Sequence, residues 1–562
     1  MAAQYPKIKS LFLPTDTSAR YFWIGFGLLV VVIAGLFLDV MDVDAAQYAS
    51  IALEMTQNGS WLQVMHRGVD YLDKPPLVFW VSAASFELFG VSNWAYKLPS
   101  VIAAVAGVWA TYRFALLFYD PKTARQGAFI LASSIGLLVI CNDIRTDTLL
   151  LGMTACSIWQ LAAYLKNGNL WRLAGGFFFA GMAMLAKGPI GLVVPGFAVG
   201  VHLAFTRRWI DFLRWQWLAG LAVTALVLAP MCWGLWMQFD QHPEKMIDGR
   251  QGVSGLYFFF WEQSFGRITG ENKWRNDASV FYFLHVYLWA FLPWYLLLPG
   301  AWWQAVRKKM PEYYALGAFT LTFIALSLSK YKLPHYIFIT LPWASVLLAA
   351  ALNKRTDNQV GKLHWSLFYL TALVGLTIAV LTITFVFPTT NPAIWACFLL
   401  GTGFLTAFIL KRPFPVDSDI LIQRGVGISL IIGFILNFHF YPNLLPYQSA
   451  KTFAHYARAQ GIAPEKLAYF HRGSHALDFY NGRYLEQFEE WQHISARIQT
   501  SGPFWIHADE AGKGELEMNK IPFTIEKRFD HFQVALLRPA FLNPATRVSA
   551  LDTIYLLKVG GH

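Results

Sequence analysis

Charge is scarce in this chain. Only 14% of its 562 residues are Asp, Glu, Lys or Arg, against roughly 25% in ordinary soluble domains. With 56% hydrophobic residues and a mean hydropathy of +0.40, this excludes a string of soluble domains. It excludes disorder as well, whose signature is low hydrophobicity. Cysteine is almost absent: Cys141, Cys156, Cys232 and Cys397 lie in or at the edge of apolar runs. Their spacing fits neither a zinc site nor a disulfide framework, so no redox compartment can be read from them. Glycine loops of the Walker or dinucleotide type are missing, which argues against nucleotide-driven chemistry. The sequence shows no internal repeat and no low-complexity tract. What remains is an integral membrane protein.

Long apolar runs are plentiful. They lie at approximately 22–38, 77–91, 98–119, 125–141, 148–165, 173–186, 190–206, 218–237, 281–300, 315–329, 337–352, 364–387, 395–410 and 425–440, several shorter than the ~20 residues of a standard span. The first is longer than a signal-peptide core and has no small-residue cleavage site, so it reads as an uncleaved span. Forty-five basic against 34 acidic residues give a net charge of +11. In a soluble protein that balance suggests nucleic acid; in a membrane protein it reflects basic inner loops, and no nucleic-acid partner is expected.

The basic loops also orient the chain. If every run crossed and Lys7, Lys9 and Arg20 were inside, Lys122/Arg125, Lys166/Arg172 and Arg207/Arg208 would fall outside, against the positive-inside rule. Letting 77–91 lie along the surface repairs this. That run contains Ser85 and Glu87 and follows Pro75-Pro76. Arg307-Lys308-Lys309, Lys354-Arg355 and Lys411-Arg412 then also fall inside. The expectation is about thirteen transmembrane helices in an all-α domain over 1–440, with a soluble α/β domain over 441–562 on the outer side.

Four outer segments and one tight connection collect the unusual polar residues. The first loop, 39–97, opens with Asp39, Asp42 and Asp44 at the end of a span, where acids are costly unless solvated or used. Asp44 suits a helix N-cap with Gln47 in the capping-box position, a role compatible with catalysis. Later in the loop, Asp73-Lys74-Pro75-Pro76 holds Lys74 on a stiff backbone at the membrane boundary. There it suits a lipid phosphate or, more blandly, snorkels beside Asp73. The second segment, Asn142 to Asp147, places Asp143, Arg145 and Asp147 between two spans. Lys187 stands at the Gly188-Pro189 connection, as an anchor or a ligand contact. The third segment, Leu256 to Arg267, has the aromatic density of an interfacial helix, with Arg267 reaching a phosphate or pairing with Glu262. The fourth, Ser329 to Tyr336, sets Lys330, Tyr331, Lys332, His335 and Tyr336 on the outer face, where lysines need an anionic substrate or an anchoring role to justify them. His471 and His475 have metal-like spacing but flank Gly473-Ser474, so they read as loop residues.

In order, Asp44 with Tyr48-Ala49, Asp73-Lys74-Pro75-Pro76, Asp147, Lys187-Gly188-Pro189, Phe259-Phe260-Trp261 with Arg267, and Lys332-Leu333-Pro334-His335-Tyr336 resemble the membrane glycosyltransferases that use polyprenyl-phosphate sugars. The resemblance is to the C-type fold, and within it to the bacterial enzymes that modify lipid A with aminoarabinose. Many relatives carry an Asp-Glu pair where Ala45 follows Asp44 here, so no second carboxylate carries over. The resemblance implies a bacterial inner-membrane enzyme with a periplasmic catalytic face, membrane lipids around it, undecaprenyl-phosphate-linked sugar as donor and lipid A as acceptor. Asp44 and Asp147 would be the catalytic pair, orienting the acceptor or the sugar amine. Lys74, Arg267, Lys330 and Lys332 would stabilise the leaving phosphate. Tyr48, Asp143, Lys187, Tyr331, His335 and Tyr336 would complete the substrate-binding set. The sequence requires no cofactor and leaves a divalent cation open. A protein O-mannosyltransferase-like enzyme needs Asp44 as a true general base. A flippase predicts charges at mid-span, whereas here they gather at one rim.

Overall fold

The computed structural model describes residues 17–247, 249–263, 266, 276, 278–353, 361–411 and 417–560. Among these, eight helices are long and apolar enough to cross a bilayer, and Pro121–Ala132 with Ile135–Asn142 make a ninth candidate bent by 50°. Leu77–Phe89, Ile190–Phe205 and Tyr314–Leu328 are apolar but shorter. Length and hydropathy therefore support eight or nine crossings directly, fewer than the apolar runs suggest. The eight range from the interior to the rim of the bundle: Thr146–Asn167 is 89% buried inside the protein while Pro392–Lys411 is 17% buried. The 281–300 run is a further correction. Tyr282–Ala290 and Leu298–Arg307 are separate helices, because Pro293 has no N–H with which to continue the first. Lys7, Lys9, Lys354, Arg355 and Arg412, used above for orientation, lie outside the described residues.

Local sequence sets the helix ends. Ser92 and Asp120 cap Asn93–Phe118 and Pro121–Ala132, accepting from the N–H groups of Ala95 and Thr123. Gly168 closes Thr146–Asn167 in the left-handed region, which glycine enters at no steric cost. The same helix packs closely on Asn93–Phe118, where a Cβ at Gly152 would run into the Ala103 carbonyl. At the end of the first span, buried Lys97 donates to the carbonyls of Gly35 and Leu38 at 3.2 and 2.8 Å, a cation on the negative end of a helix. That contact fixes where the first loop leaves the bundle.

The C-terminal part carries a five-stranded sheet in the order Glu486–Phe488, Leu467–Phe470, Phe504–Ala508, Asp552–Val559, Phe523–His531. The first three strands run parallel and the last pairs are antiparallel. Leu467–Phe470 is buried along its whole length, as a central parallel strand covered on both faces must be. Phe532, Val534 and Phe541 pack on Phe387, Tyr441 and Leu444 at the ends of two membrane helices. The sheet unit thus sits on the rim where the first loop lies. Tyr480 Oη accepts from the Val40 N–H at 2.8 Å, and Lys451 pairs with Asp39 at 2.6 Å.

Candidate active site

The first loop is built before it meets anything else. Asp44–Asn58 is a helix, but Val43 holds the cap position and makes no side-chain cap bond. Asp44 is therefore the first helical residue, not the N-cap the sequence suggests. Its carboxylate is claimed by Arg145 instead. After the helix, Met65–His66 and Val69–Asp70 form a hairpin whose turn residues Arg67 and Gly68 both have positive φ, 56° and 74°, as two-residue hairpin turns require. The buried carboxylate of Glu54 accepts both turn N–H groups, at 2.7 and 2.9 Å. From there the chain runs to Asp73 and Lys74, which form an ion pair. The Asp73 carbonyl accepts from the Gln263 side chain.

Around this loop lies a cavity of about 1430 Å³. Asp44, Tyr48, Lys74, Asp147, Lys187, Tyr331, His335 and Tyr336 line it, so eight sequence-predicted residues from four separate segments converge. Asp147 is the centre of the most buried cluster. Lys187 Nζ lies 2.5 Å from Asp147 Oδ1 and His335 Nε2 lies 3.7 Å from Oδ2. Lys187 also stands 3.6 Å above the Tyr336 ring, a cation–π contact that fixes the ammonium from its other side. Asp147 is in the first turn of its helix, where the helix dipole favours a carboxylate.

Arg145 organises the second cluster. It pairs with Asp44 and, through Nε, with Asp143 at 3.0 Å. Burial disfavours its charge, but Asp143 and Asp44 outweigh that and hold the guanidinium more firmly protonated than usual. Tyr48 is pushed well above the ordinary phenol range by burial and by the Asp44 charge, so it serves as a neutral hydrogen-bonding wall. A third group closes the cavity: Lys245 pairs with Asp70 at 2.8 Å, and Arg250 makes a two-pronged pair with Glu262 at 3.2 and 3.0 Å.

Other predicted residues go elsewhere. Asp143 supports Arg145 without lining the cavity. Lys330 is exposed, and Lys332 is buried facing away, its Nζ donating to the Ala278 carbonyl at 2.9 Å. Burial and Lys330 lower its pKa. Tyr331 and Leu333 line the cavity, while the Asn276 side chain bonds the N–H and the carbonyl of Lys332 at 3.2 and 2.7 Å and holds that residue against Asn276 and Ala278. Arg267 lies outside the described residues, and Glu262, its suggested partner, binds Arg250. Residues missing from the sequence-derived set include Arg145, Asp70, Tyr71, Asp73, Lys245, Arg250, Glu262 and His475. Arg145 had a signal, a lone base between two acids in a six-residue loop. His475 had none, since it comes from the C-terminal unit. His471 turns away from it and pairs with Glu515 at 3.1 Å.

Opposite charges lining one open cavity suit a zwitterionic or phosphorylated ligand. Cations at several points can share a phosphate's charge, while the carboxylates orient an amine or hydroxyl. Among the described residues, no group of three or more His, Cys, Asp or Glu is placed to hold a metal ion.

Residues 73–233 match the family model described as dolichyl-phosphate-mannose-protein mannosyltransferase. The chain is 31% identical over 356 residues to the undecaprenyl phosphate-alpha-4-amino-4-deoxy-L-arabinose arabinosyl transferase of Aeromonas hydrophila, covering 60% of this chain and 61% of that one. It is 25% identical over 435 residues to the transferase of the same name, numbered 1, from Proteus mirabilis, covering 74% and 76%. The chain spans about six-tenths of the length of the first of these relatives. In fold it matches the crystal structure of ArnT from Cupriavidus metallidurans bound to undecaprenyl phosphate, with a TM-score of 0.75 at 19% identity over 96% of this chain and 98% of that one. The all-α membrane bundle with its C-terminal sheet unit is therefore a shared fold.

Proposed function

We propose that this chain, which has the fold of the membrane glycosyltransferases that use polyprenyl-phosphate sugars, transfers an aminoarabinose-type sugar from undecaprenyl phosphate to a lipid A phosphate. The observation that carries the reading is the convergence of Lys74, Arg145 and Lys187 with Asp44 and Asp147 around one cavity. Relatives whose names give the undecaprenyl-phosphate donor and the arabinosyl transfer support the donor half of it. The reaction needs little proton chemistry. A phosphate oxygen of the acceptor, already anionic, forms a bond to the anomeric carbon. The bond from that carbon to the undecaprenyl phosphate oxygen breaks, and its electron pair leaves on the phosphate. Lys74, on the stiff Pro75-Pro76 backbone, neutralises the departing phosphate. Asp147 and Asp44, held by Lys187 and Arg145, orient the sugar amine and the acceptor rather than abstract a proton.

We place the cavity on the periplasmic side of the inner membrane, because the loops carrying Lys122, Lys166 and Arg208 lie at the other ends of the helices that reach it. No cofactor enters the reading, and a chelator is expected to leave transfer unchanged. Loss of transfer with EDTA would instead give part of the phosphate's neutralisation to a divalent cation. The match of residues 73–233 to the protein mannosyltransferase model favours one second reading, transfer to a protein hydroxyl with Asp44 as general base. Purified full-length protein offered undecaprenyl-linked aminoarabinose with lipid A, and separately a polyprenyl-linked mannose with a Ser/Thr peptide, separates the two. Transfer in the first mixture supports the proposal; transfer only in the second replaces it.

A further inference from the structure

The C-terminal unit puts one side chain into the cavity. His475, at the start of the helix His475–Asn481, lines it together with residues of the membrane domain. Its ring packs against His66 of the first-loop hairpin, with centroids 4.9 Å apart. His475 Nδ1 and His66 Nε2 are both buried and meet no hydrogen-bonding group of the protein. No third ligand joins the pair, since the described residues contain no metal-binding group of three. With Nδ1 enclosed, Nε2 is the ring atom His475 has to offer the cavity. Burial, with His66 and Arg67 nearby, keeps the His475 pKa down at about 3, so the ring is neutral and suits an uncharged partner.

His475 is also held with unusual care. Arg67 Nε donates to Asp478 Oδ2 at 2.8 Å, Arg67 Nη1 to Gln487 Oε1 at 3.0 Å, and the guanidinium lies 5.2 Å from the Tyr469 ring centroid. Tyr469 Oη donates to Asp478 at 2.9 Å. On the other side, the Ala476 N–H donates to Asp42 at 3.2 Å. Asp478 and Asp42 thus pin the helix carrying His475 to two points of the first loop. The loop and the C-terminal unit form one wall.

We propose that His475 is a specificity residue, hydrogen-bonding an uncharged hydroxyl of a saccharide bound in the cavity, and that the Arg67–Asp478 lock positions it. The inference deepens the glycosyltransferase reading and rests on it. It assigns phosphate recognition to Lys74, Arg145 and Lys187 and sugar recognition to the neutral wall supplied by the C-terminal unit. The hydroxyl belongs either to the donor sugar or to the acceptor saccharide; the chemistry is the same.

The test uses the purified full chain as wild type, His475→Ala and His475→Gln, titrated by intrinsic tryptophan fluorescence. Its probes are undecaprenyl phosphate without sugar, the same lipid carrying aminoarabinose, and lipid A. The expected result is that His475→Ala weakens one saccharide ligand roughly 3- to 10-fold, the loss of one neutral hydrogen bond, and leaves undecaprenyl phosphate unchanged. Glutamine, which presents a polar atom near the place of Nε2, should recover most of the loss. A change confined to the donor puts the contact on the donor sugar, and one confined to lipid A puts it on the acceptor. Wild-type affinity of His475→Ala for both saccharide ligands overturns the inference. So does equal weakening of all three ligands, or glutamine no better than alanine. If the wild type binds none of the three, the reading of the whole site falls and this inference with it; wild-type binding with an unaffected variant defeats the inference alone.

Discussion

Asp147 and Lys187 are the most confined pair of charges in the cavity, with side-chain exposures of 2% and 15%. Removing one partner from such a pair leaves an uncompensated charge and typically costs about 3–5 kcal/mol. Asp147→Asn is therefore expected to lower the thermal midpoint in detergent and to cut transfer at least about 100-fold, the scale of losing an electrostatic contact in a dry site. Asp147→Asn combined with Lys187→Met should restore much of the midpoint and none of the transfer. Recovery of transfer in the double variant would make the pair merely structural. The sequence made Asp147 and Lys187 visible because charges are rare in this chain and both stand at span ends. It could not show that they meet, nor that Lys187 also lies over Tyr336, since side-chain pairing across three segments leaves no local pattern. Lys332 shows the converse. Its charge and placement suit a phosphate site, but its backbone is bonded to Asn276 and its ammonium to the Ala278 carbonyl.

Among the elements, helices were the legible part. Hydropathy marks them directly, and caps such as Ser92 and Asp120 follow from side-chain chemistry that local sequence displays. What hydropathy hides is interruption and close contact. Pro293 splits an apolar run, and Gly152 is a contact point rather than a flexible joint. Gly152→Ala is expected to force Asn93–Phe118 and Thr146–Asn167 apart, costing roughly 1–3 kcal/mol and lowering the thermal midpoint. An unchanged midpoint would contradict the packing described. Least legible is the docking of the C-terminal unit, where Arg67 and Asp478 meet across 411 positions.

That docking carries a pH signature. His66, His475, His507 and His531 are held down by burial at about 4, 3, 3 and 4. Between these values and the unfolded value of ~6.5 the unfolded chain binds more protons. Stability is thus full above about pH 6.5 and falls as pH drops, by on the order of 1–2 kcal/mol for each histidine at pH 5. Asp42 acts in the opposite sense. Burial raises it to about 6, so its contribution falls as pH rises from about 4 to 6. Burial raises Asp478 as well, but four histidines outweigh two carboxylates, and the thermal midpoint of the full chain should drop between pH 7 and pH 5. His66→Gln with His475→Gln should flatten that drop. A midpoint that rises on acidification would contradict the burial of these rings.

The whole molecule is a segregation of charge. The excess that gives +11 mostly sits on loops that read as inner, where it orients the protein. A smaller population, Lys74, Arg145, Lys187, Lys245 and Arg250, surrounds a cavity with Asp44, Asp147, Asp70 and Glu262. Membrane bundle and C-terminal unit together line that cavity, and in the proposed reaction its cations carry the leaving lipid phosphate. The direct measurement is single-turnover transfer from undecaprenyl-linked aminoarabinose to lipid A by purified wild type and Lys74→Ala, with the affinity of each for undecaprenyl phosphate. Transfer by the wild type is expected, with a rate at least about 100-fold lower in Lys74→Ala and weaker binding of undecaprenyl phosphate by that variant. Wild-type rate and wild-type affinity in Lys74→Ala would contradict it.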